Sequence, residues 1–162
     1  MLEAFAGLVP FQVAFVVHDL DRAARNFDAV LSAGPWRGYV LSSESVEDSR
    51  YHGEPVSWSA RVALNDDRPQ FELIEPITGP SVHADWLSAR GEGFHHLGYV
   101  VDSVAETTAQ ITLAGFPAIQ TGHSFGAEGD GVFAYYDTTA SLGFIVEAVE
   151  PPGSMPDPAF RL

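Results

Sequence analysis

The chain predicts an α+β fold in which two βαβββ modules in tandem build one curved, eight-stranded mixed sheet with a concave cleft for a metal ion or ligand. Three observations carry that expectation. Segment 11–20 (FQVAFVVHDL) is echoed by 95–104 (HHLGYVVDSV), and 71–76 (FELIEP) by 146–151 (VEAVEP). Each pair falls at the same point of its half, a first strand that runs into a helix and a last strand that runs into proline. The 162 residues suffice for one domain, read over 1–162, in which two half-size modules share a core. Finally, β-favouring runs outnumber helical ones, and twist curls such a sheet with its helices on the outside.

The first module covers about 10–76. Phe11, Val13, Phe15 and Val17 alternate with Gln12, Ala14, Val16 and His18, a period-2 strand that sends Gln12 to the face opposite its strongly apolar one. Asp19 or Asp21 caps the next helix, whose apolar positions Ala23, Ala24, Phe27, Val30 and Leu31 recur every three or four residues until Gly34-Pro35. Trp36–Ser42, Ser57–Asn65 and Gln70–Glu75 read as short strands, the last two joined by a turn at Asn65-Asp66-Asp67. A bridging helix lies within 79–91.

The second module, about 93–150, starts over. Phe94–Val101 is its first strand, Ser103–Ala114 a helix stopped at Gly115, and Pro117–His123, Gly131–Asp137 and Gly143–Glu150 its remaining strands. The tail 151–162, with proline at 151, 152, 156 and 158, is expected to form a strap without regular structure, over the partner module or a second subunit.

Composition narrows the function classes. Eight Lys+Arg, all of them Arg, against 22 Asp+Glu give a net charge of −14, a field that disfavours nucleic acid and serves solubility or a cationic ligand. No apolar run approaches a membrane span, no secretory leader is evident, and the absence of cysteine removes thiolate sites. The expected setting is cytoplasmic, with a small-molecule substrate and neither nucleic acid nor membrane as partner.

The matching positions of the two halves carry chemistry: Gln12 with His96, and Glu72 with Glu147. Alone, a strand Gln or a Glu at a strand end reads as an ordinary polar residue. Together, an amide oxygen, two carboxylates and an imidazole suit one hard or borderline divalent ion, Zn, Ni, Co, Mn, Fe or Mg, with room for substrate oxygens. A carboxylate there can take a proton from a carbon beside a carbonyl, and Glu147 is the candidate, with Glu72 its mirror-related partner. Of His95 and His96, strand parity lets one face the cleft, and the repeat selects His96. Tyr135, Tyr136, Trp58 and Phe133 are candidate substrate-binding residues, with one of the tyrosine pair lining the pocket. Glu44, Glu47, His52 and Glu54 fall in a polar segment that reads as a solvated loop or a mobile lid.

These residues resemble the vicinal oxygen chelate superfamily, which includes glyoxalase I, methylmalonyl-CoA epimerase, extradiol dioxygenases, and fosfomycin- and bleomycin-resistance proteins. The strongest stretch, FELIEPITGPSVHADWLSARGEGFHHLGYVVDSV (71–104), is similar to the epimerase-like branch. The resemblance implies metal ligands on the first and last strands of each module, here Gln12, Glu72, His96 and Glu147, a set similar to that of Gln-containing glyoxalase I. It also implies a dimer. The activity expected is metal-dependent isomerase, epimerase or lyase chemistry on a small hydrophobic carbonyl compound. The alternatives are a metal-free ligand-binding protein of the bleomycin-resistance kind and, with less support because Gln12 stands where an iron-binding His would, an iron-dependent dioxygenase.

Overall fold

The computed structural model describes residues 4–162. Residues 1–3, which the single-domain reading included, lie outside the described residues. β1 (Gln12–Val16) alternates as its sequence requires. Ala14 and Val16 enter an interior cluster, while Phe15 and Val17 pack against α1 (Leu20–Leu31). Asp19 caps α1 by accepting from the Arg22 backbone N–H at 2.9 Å, which satisfies a donor the first turn would leave unpaired. The buried stripe of α1 is Leu20, Ala23 and Ala24; Val30 and Leu31 of the expected stripe are exposed.

β2 (Arg37–Ser42), β3 (Glu47–Tyr51), β4 (Glu54–Pro55), β5 (Ser59–Leu64) and β6 (Gln70–Thr78) complete the first half. Ser81 caps the bridging helix α2 (Val82–Arg90). The second half runs through β7 (Gly93–Val100), α3 (Val104–Leu113), β8 (Ala118–Phe125), β9 (Gly131–Tyr136), the one-turn α4 (Thr139–Leu142) and β10 (Ile145–Glu150), and β11 (Phe160–Arg161) follows. All eleven strands form one mixed sheet, ordered β11-β2-β5-β6-β1-β7-β10-β9-β8-β3-β4. β1 and β7 pair antiparallel at its centre, and each is parallel to the last strand of its own half.

Among the described residues eleven strands replace the expected eight. The polar segment read as loop or lid forms β3 and β4, and β3 leaves its own half to pair with β8, setting Arg50 opposite Thr121 and Tyr51 opposite Gln120. β3 lies one place in from the sheet edge, between β8 and the two-residue β4, where strands are held by their backbone and tolerate charged side chains, so the alternation that marks a half-buried strand is missing there. Val46, fully buried, anchors this crossing segment beside Gly122, where an added Cβ would lie 2.5 Å from Val46 Cγ1. The Pro-rich tail also ends in a regular element, because β11 begins after its last proline and pairs with β2. It runs over the first half of its own chain.

Candidate functional site

Cross-strand register sets the concave face. One row runs Arg37, Leu64, Glu72, Ala14, His96, Ile145, and the next runs Gln70, Gln12, Gly98, Glu147, Tyr135, Gln120. Residues paired in this way share a face, so Glu72 and His96 belong to one row and Gln12 and Glu147 to its neighbour. Gly98 separates Gln12 from Glu147 in the sheet, and a Cβ there would stand 3.1 Å from Glu147 Oε2 and 3.2 Å from Gln12 Cβ. Glycine keeps that space open.

The structure brings the four repeat-matched residues into one buried interior. Gln12 and Glu147 are about 5% exposed, Glu72 9% and His96 fully buried. His96 Nε2 lies 3.4 Å from Glu72 Oε2 and 3.2 Å from Glu147 Oε2. These three atoms are shielded from water and have no hydrogen-bond partner among the described residues. Gln12 Nε2 donates to Gln70 Oε1 at 3.0 Å, which commits the nitrogen and leaves the amide oxygen as the atom Gln12 can offer.

Burial alone would strip His96 of its proton, but Glu147 and Glu72 outweigh it and lift the imidazole to about 9. Burial, assisted by Glu147, holds the Glu72 carboxyl above its ordinary value against the pull of His96. Without a metal, a protonated His96 therefore lies between two carboxylates. A small divalent ion fits the same place, since it supplies the positive charge and engages atoms that no water reaches.

His95 departs from its expected place on the helix side or rim. The pairing of β1 with β7 slips between Ala14 and Phe15, so His95 is the extra residue of a bulge and both imidazoles enter the interior. His95 Nδ1 lies 2.8 Å from His96 Nδ1, a hydrogen bond that orients His96 with Nε2 toward the carboxylates. The His95 ring also packs on Trp86 and His83 of α2, at centroid distances of 5.1 and 5.0 Å.

His83, His95 and His96 offer a second donor group, with ligand atoms all within 4.8 Å of one another. Two of its nitrogens, His95 Nδ1 and His96 Nδ1, already share a hydrogen bond, and it holds no carboxylate to neutralise an ion. Burial depresses His95 well below its ordinary value and His83 to about 3, each assisted by neighbouring histidines, so both are neutral. The three histidines are therefore better understood as the support of His96. His83 was missed in the sequence because a lone His in the first turn of a bridging helix carries no repeat or spacing signal.

A cavity of about 240 Å³ adjoins this cluster, lined by Gln12, Glu72, Glu147 and Tyr135 and by apolar side chains including Trp58, Val62, Ile74 and Phe133. Burial, with Glu147 and Glu72 beyond it, holds the Tyr135 hydroxyl well above its ordinary value, so it remains a donor. Tyr136 is a correction to the candidate list. It points to the opposite face, packs under α3 and shares a hydrogen bond with Thr108 at 2.8 Å. Neighbouring strand residues face opposite sides.

A duplicated, curled sheet brings two carboxylates and an imidazole together beside a largely apolar cavity. Residues 11–136 match the Glyoxalase/Bleomycin resistance protein/Dioxygenase superfamily, and the chain belongs to it. No curated protein matches the chain in sequence. Among solved structures, a hypothetical protein from Bacillus halodurans C-125 is 19% identical with a TM-score of 0.67, covering 93% of this chain and 99% of its own. A methylmalonyl-CoA epimerase in complex with methylmalonyl-CoA and NH4+ is 17% identical with a TM-score of 0.63, covering 92% of this chain and 99% of its own. The methylmalonyl-CoA epimerase of Mycobacterium tuberculosis is 20% identical with a TM-score of 0.61, covering 87% and 86%. These likenesses share the fold. No helix among the described residues is long and apolar enough to cross a membrane.

Proposed function

We propose that this chain is a metal-dependent enzyme of the isomerase, epimerase or lyase type that moves a proton on a carbon next to a carbonyl. Gln12, Glu72, His96 and Glu147 would hold one divalent ion. The observation that carries the reading is the convergence of three unpartnered, water-shielded atoms, His96 Nε2 with Glu72 Oε2 and Glu147 Oε2, at 3.4 and 3.2 Å. When bound, the ion would polarise the carbonyl and stabilise the negative charge that develops on its oxygen.

The protein's own groups do the rest. Glu147 Oε2 takes the proton from the carbon and returns it to the same or the adjacent carbon, while Glu72, its counterpart in the other half, acts from the far side of His96. Tyr135 presents a neutral hydroxyl beside Glu147 and donates to a substrate oxygen. The apolar wall around Trp58 and Phe133 excludes water, which strengthens each of these interactions. The methylmalonyl-CoA epimerase neighbours share the fold and supply the model for this chemistry.

The test is exchange of the carbon-bound proton for deuterium in D2O, followed by NMR on 2-hydroxyacetophenone and on methylmalonyl-CoA with protein loaded with zinc, cobalt, nickel or manganese. Exchange that depends on metal and falls by about a hundredfold or more in Glu147→Gln is expected. Exchange equally fast in that variant would remove Glu147 from the role. A metal-free ligand-binding reading draws support from the charge balance within the site, where a protonated His96 offsets the neighbouring carboxylates at 3.2 and 3.4 Å without hydrogen-bonding to them. It requires that the native chain retain no metal.

A further inference from the structure

We infer that the cavity holds the whole of a small, apolar, unphosphorylated carbonyl compound, and does not take the acyl end of a substrate tethered to a phosphorylated carrier such as coenzyme A. Only the carbonyl rests on the metal-dependent reading above. Size, apolar walls and the covering strap stand independently of it.

The strap 151–162 carries the inference furthest. Pro151, Pro152 and Met155 line the cavity itself. The strap is tied first to the β8–β9 turn, where Gly153 N–H donates to Asp130 Oδ2 at 3.0 Å and Ala127 N–H donates to the Ser154 carbonyl at 2.9 Å. Pro152 fills the place of an absent side chain at Gly126, where a Cβ would lie 2.2 Å from it. The strap is tied again at β2, where Ala159 N–H donates to the Gly38 carbonyl at 2.8 Å. There Phe160 occupies the space that glycine leaves open, a Cβ on Gly38 standing 2.1 Å from the ring, and the Arg61 guanidinium covers that ring at 4.7 Å.

The chain thus crosses the end of the cavity where β1 and β2 begin. At the other end α2 sends Val82, Trp86 and Leu87 into the interior cluster. An arm leading from the site to a carrier would have to displace one of these covers.

Charge and size agree. Phosphates are met by clusters of arginine and lysine, yet this chain has no Lys and a net charge of −14. Four of its eight arginines already sit in ion pairs: Arg22 with Glu92, Arg37 with Asp66, Arg50 with Asp48, and Arg61 with Asp21 and Glu75. Arg37, among the described residues the one arginine that lines the cavity, is paired in this way through Nη2, while its buried Nε has no partner there. The 240 Å³ available is below the range of about 300–1,000 Å³ that holds drug-sized ligands.

The inference is tested by titrating the native chain with 2-hydroxyacetophenone and with methylmalonyl-CoA while following tryptophan fluorescence, the Trp58 contribution being assigned with Trp58→Phe. Saturable quenching by the ketone is expected, with methylmalonyl-CoA binding at least about a hundredfold more weakly. Phe160→Ala, which frees the strap from β2, is expected to speed release of the ketone in stopped-flow displacement. Methylmalonyl-CoA binding as tight as the ketone, or no binding of the ketone, would overturn the inference. Both titrations are run on zinc-free and zinc-loaded protein with zinc measured by elemental analysis. Ketone binding without retained zinc would sink the enzymatic reading and leave this one standing, and retained zinc with methylmalonyl-CoA preferred would do the reverse.

Discussion

The two halves of the sheet place their polar residues at matching positions but support them unequally. In the first half Gln12 is steadied by Gln70, whose own amide donates to the Asn65 carbonyl at 2.9 Å, a chain of neutral hydrogen bonds near the strand ends. In the second, His96 is locked by a bulge, by the His95 ring, and by Tyr135 at a centroid distance of 5.1 Å. Duplication gives symmetric positions, and the bulge at His95 breaks the symmetry. The second half therefore fixes the geometry of the site, and the first half completes it.

The comparison breaks most visibly at its two matched residues. His96→Ala leaves Glu72 and Glu147 buried without their cation and should cost the metal-free protein about 3–5 kcal/mol, read by urea denaturation. Zinc affinity, measured by calorimetric titration, should fall by at least about a thousandfold. Gln12→Ala removes the proposed neutral ligand on the less supported side and should cost about tenfold in zinc affinity with stability nearly intact. Equal losses in the two variants would end the claim of unequal support.

A pH series on denaturation sharpens it further. His96 is raised to about 9 from 6.5 in the folded metal-free chain, so the folded state holds a proton that the unfolded state releases. Its contribution is complete below about pH 6.5 and disappears as pH rises through 9, a loss of up to about 3 kcal/mol. Zinc replaces that proton, and the loaded protein should lack the alkaline decline. His83 has the opposite sign. Depressed to about 3 by burial, it contributes stability above pH 6.5 that is lost on acidification, about 2 kcal/mol by pH 5.

Smaller effects probe the supports. His95→Phe keeps the aromatic packing but removes the hydrogen bond that orients His96, and should lower zinc affinity by about 10–100-fold. The equivalent support in the first half, Gln70→Ala, should lower it by only about threefold, the value of one neutral hydrogen bond near its lower limit. A larger effect from Gln70 than from His95 would reverse the assignment of the two halves.

Much of this architecture was legible in the residues. Alternation around Gln12, a cap at Asp19 or Asp21, and the repeat linking Gln12 to His96 and Glu72 to Glu147 are local or periodic signals, and they point to the curled sheet and to the buried interior that the four side chains share. What was not legible is long-range or irregular. β3 pairs with a strand about seventy residues away through backbone groups, so its charged side chains gave no sign. The bulge at His95 depends on how β7 meets β1, and strict parity misplaced that ring. Tyr135 and Tyr136 had the same composition signal, and only register against β10 separates the cavity residue from the one under α3. His83 became relevant only when α2 was seen to close the interior.

The most direct measurement is elemental analysis of the purified native chain beside His96→Ala, as isolated and after chelation and reloading. Near-stoichiometric divalent metal in the native chain, lost in the variant, is the predicted result. A native chain that neither retains nor rebinds metal would contradict the account and leave a cavity that binds its ligand without one.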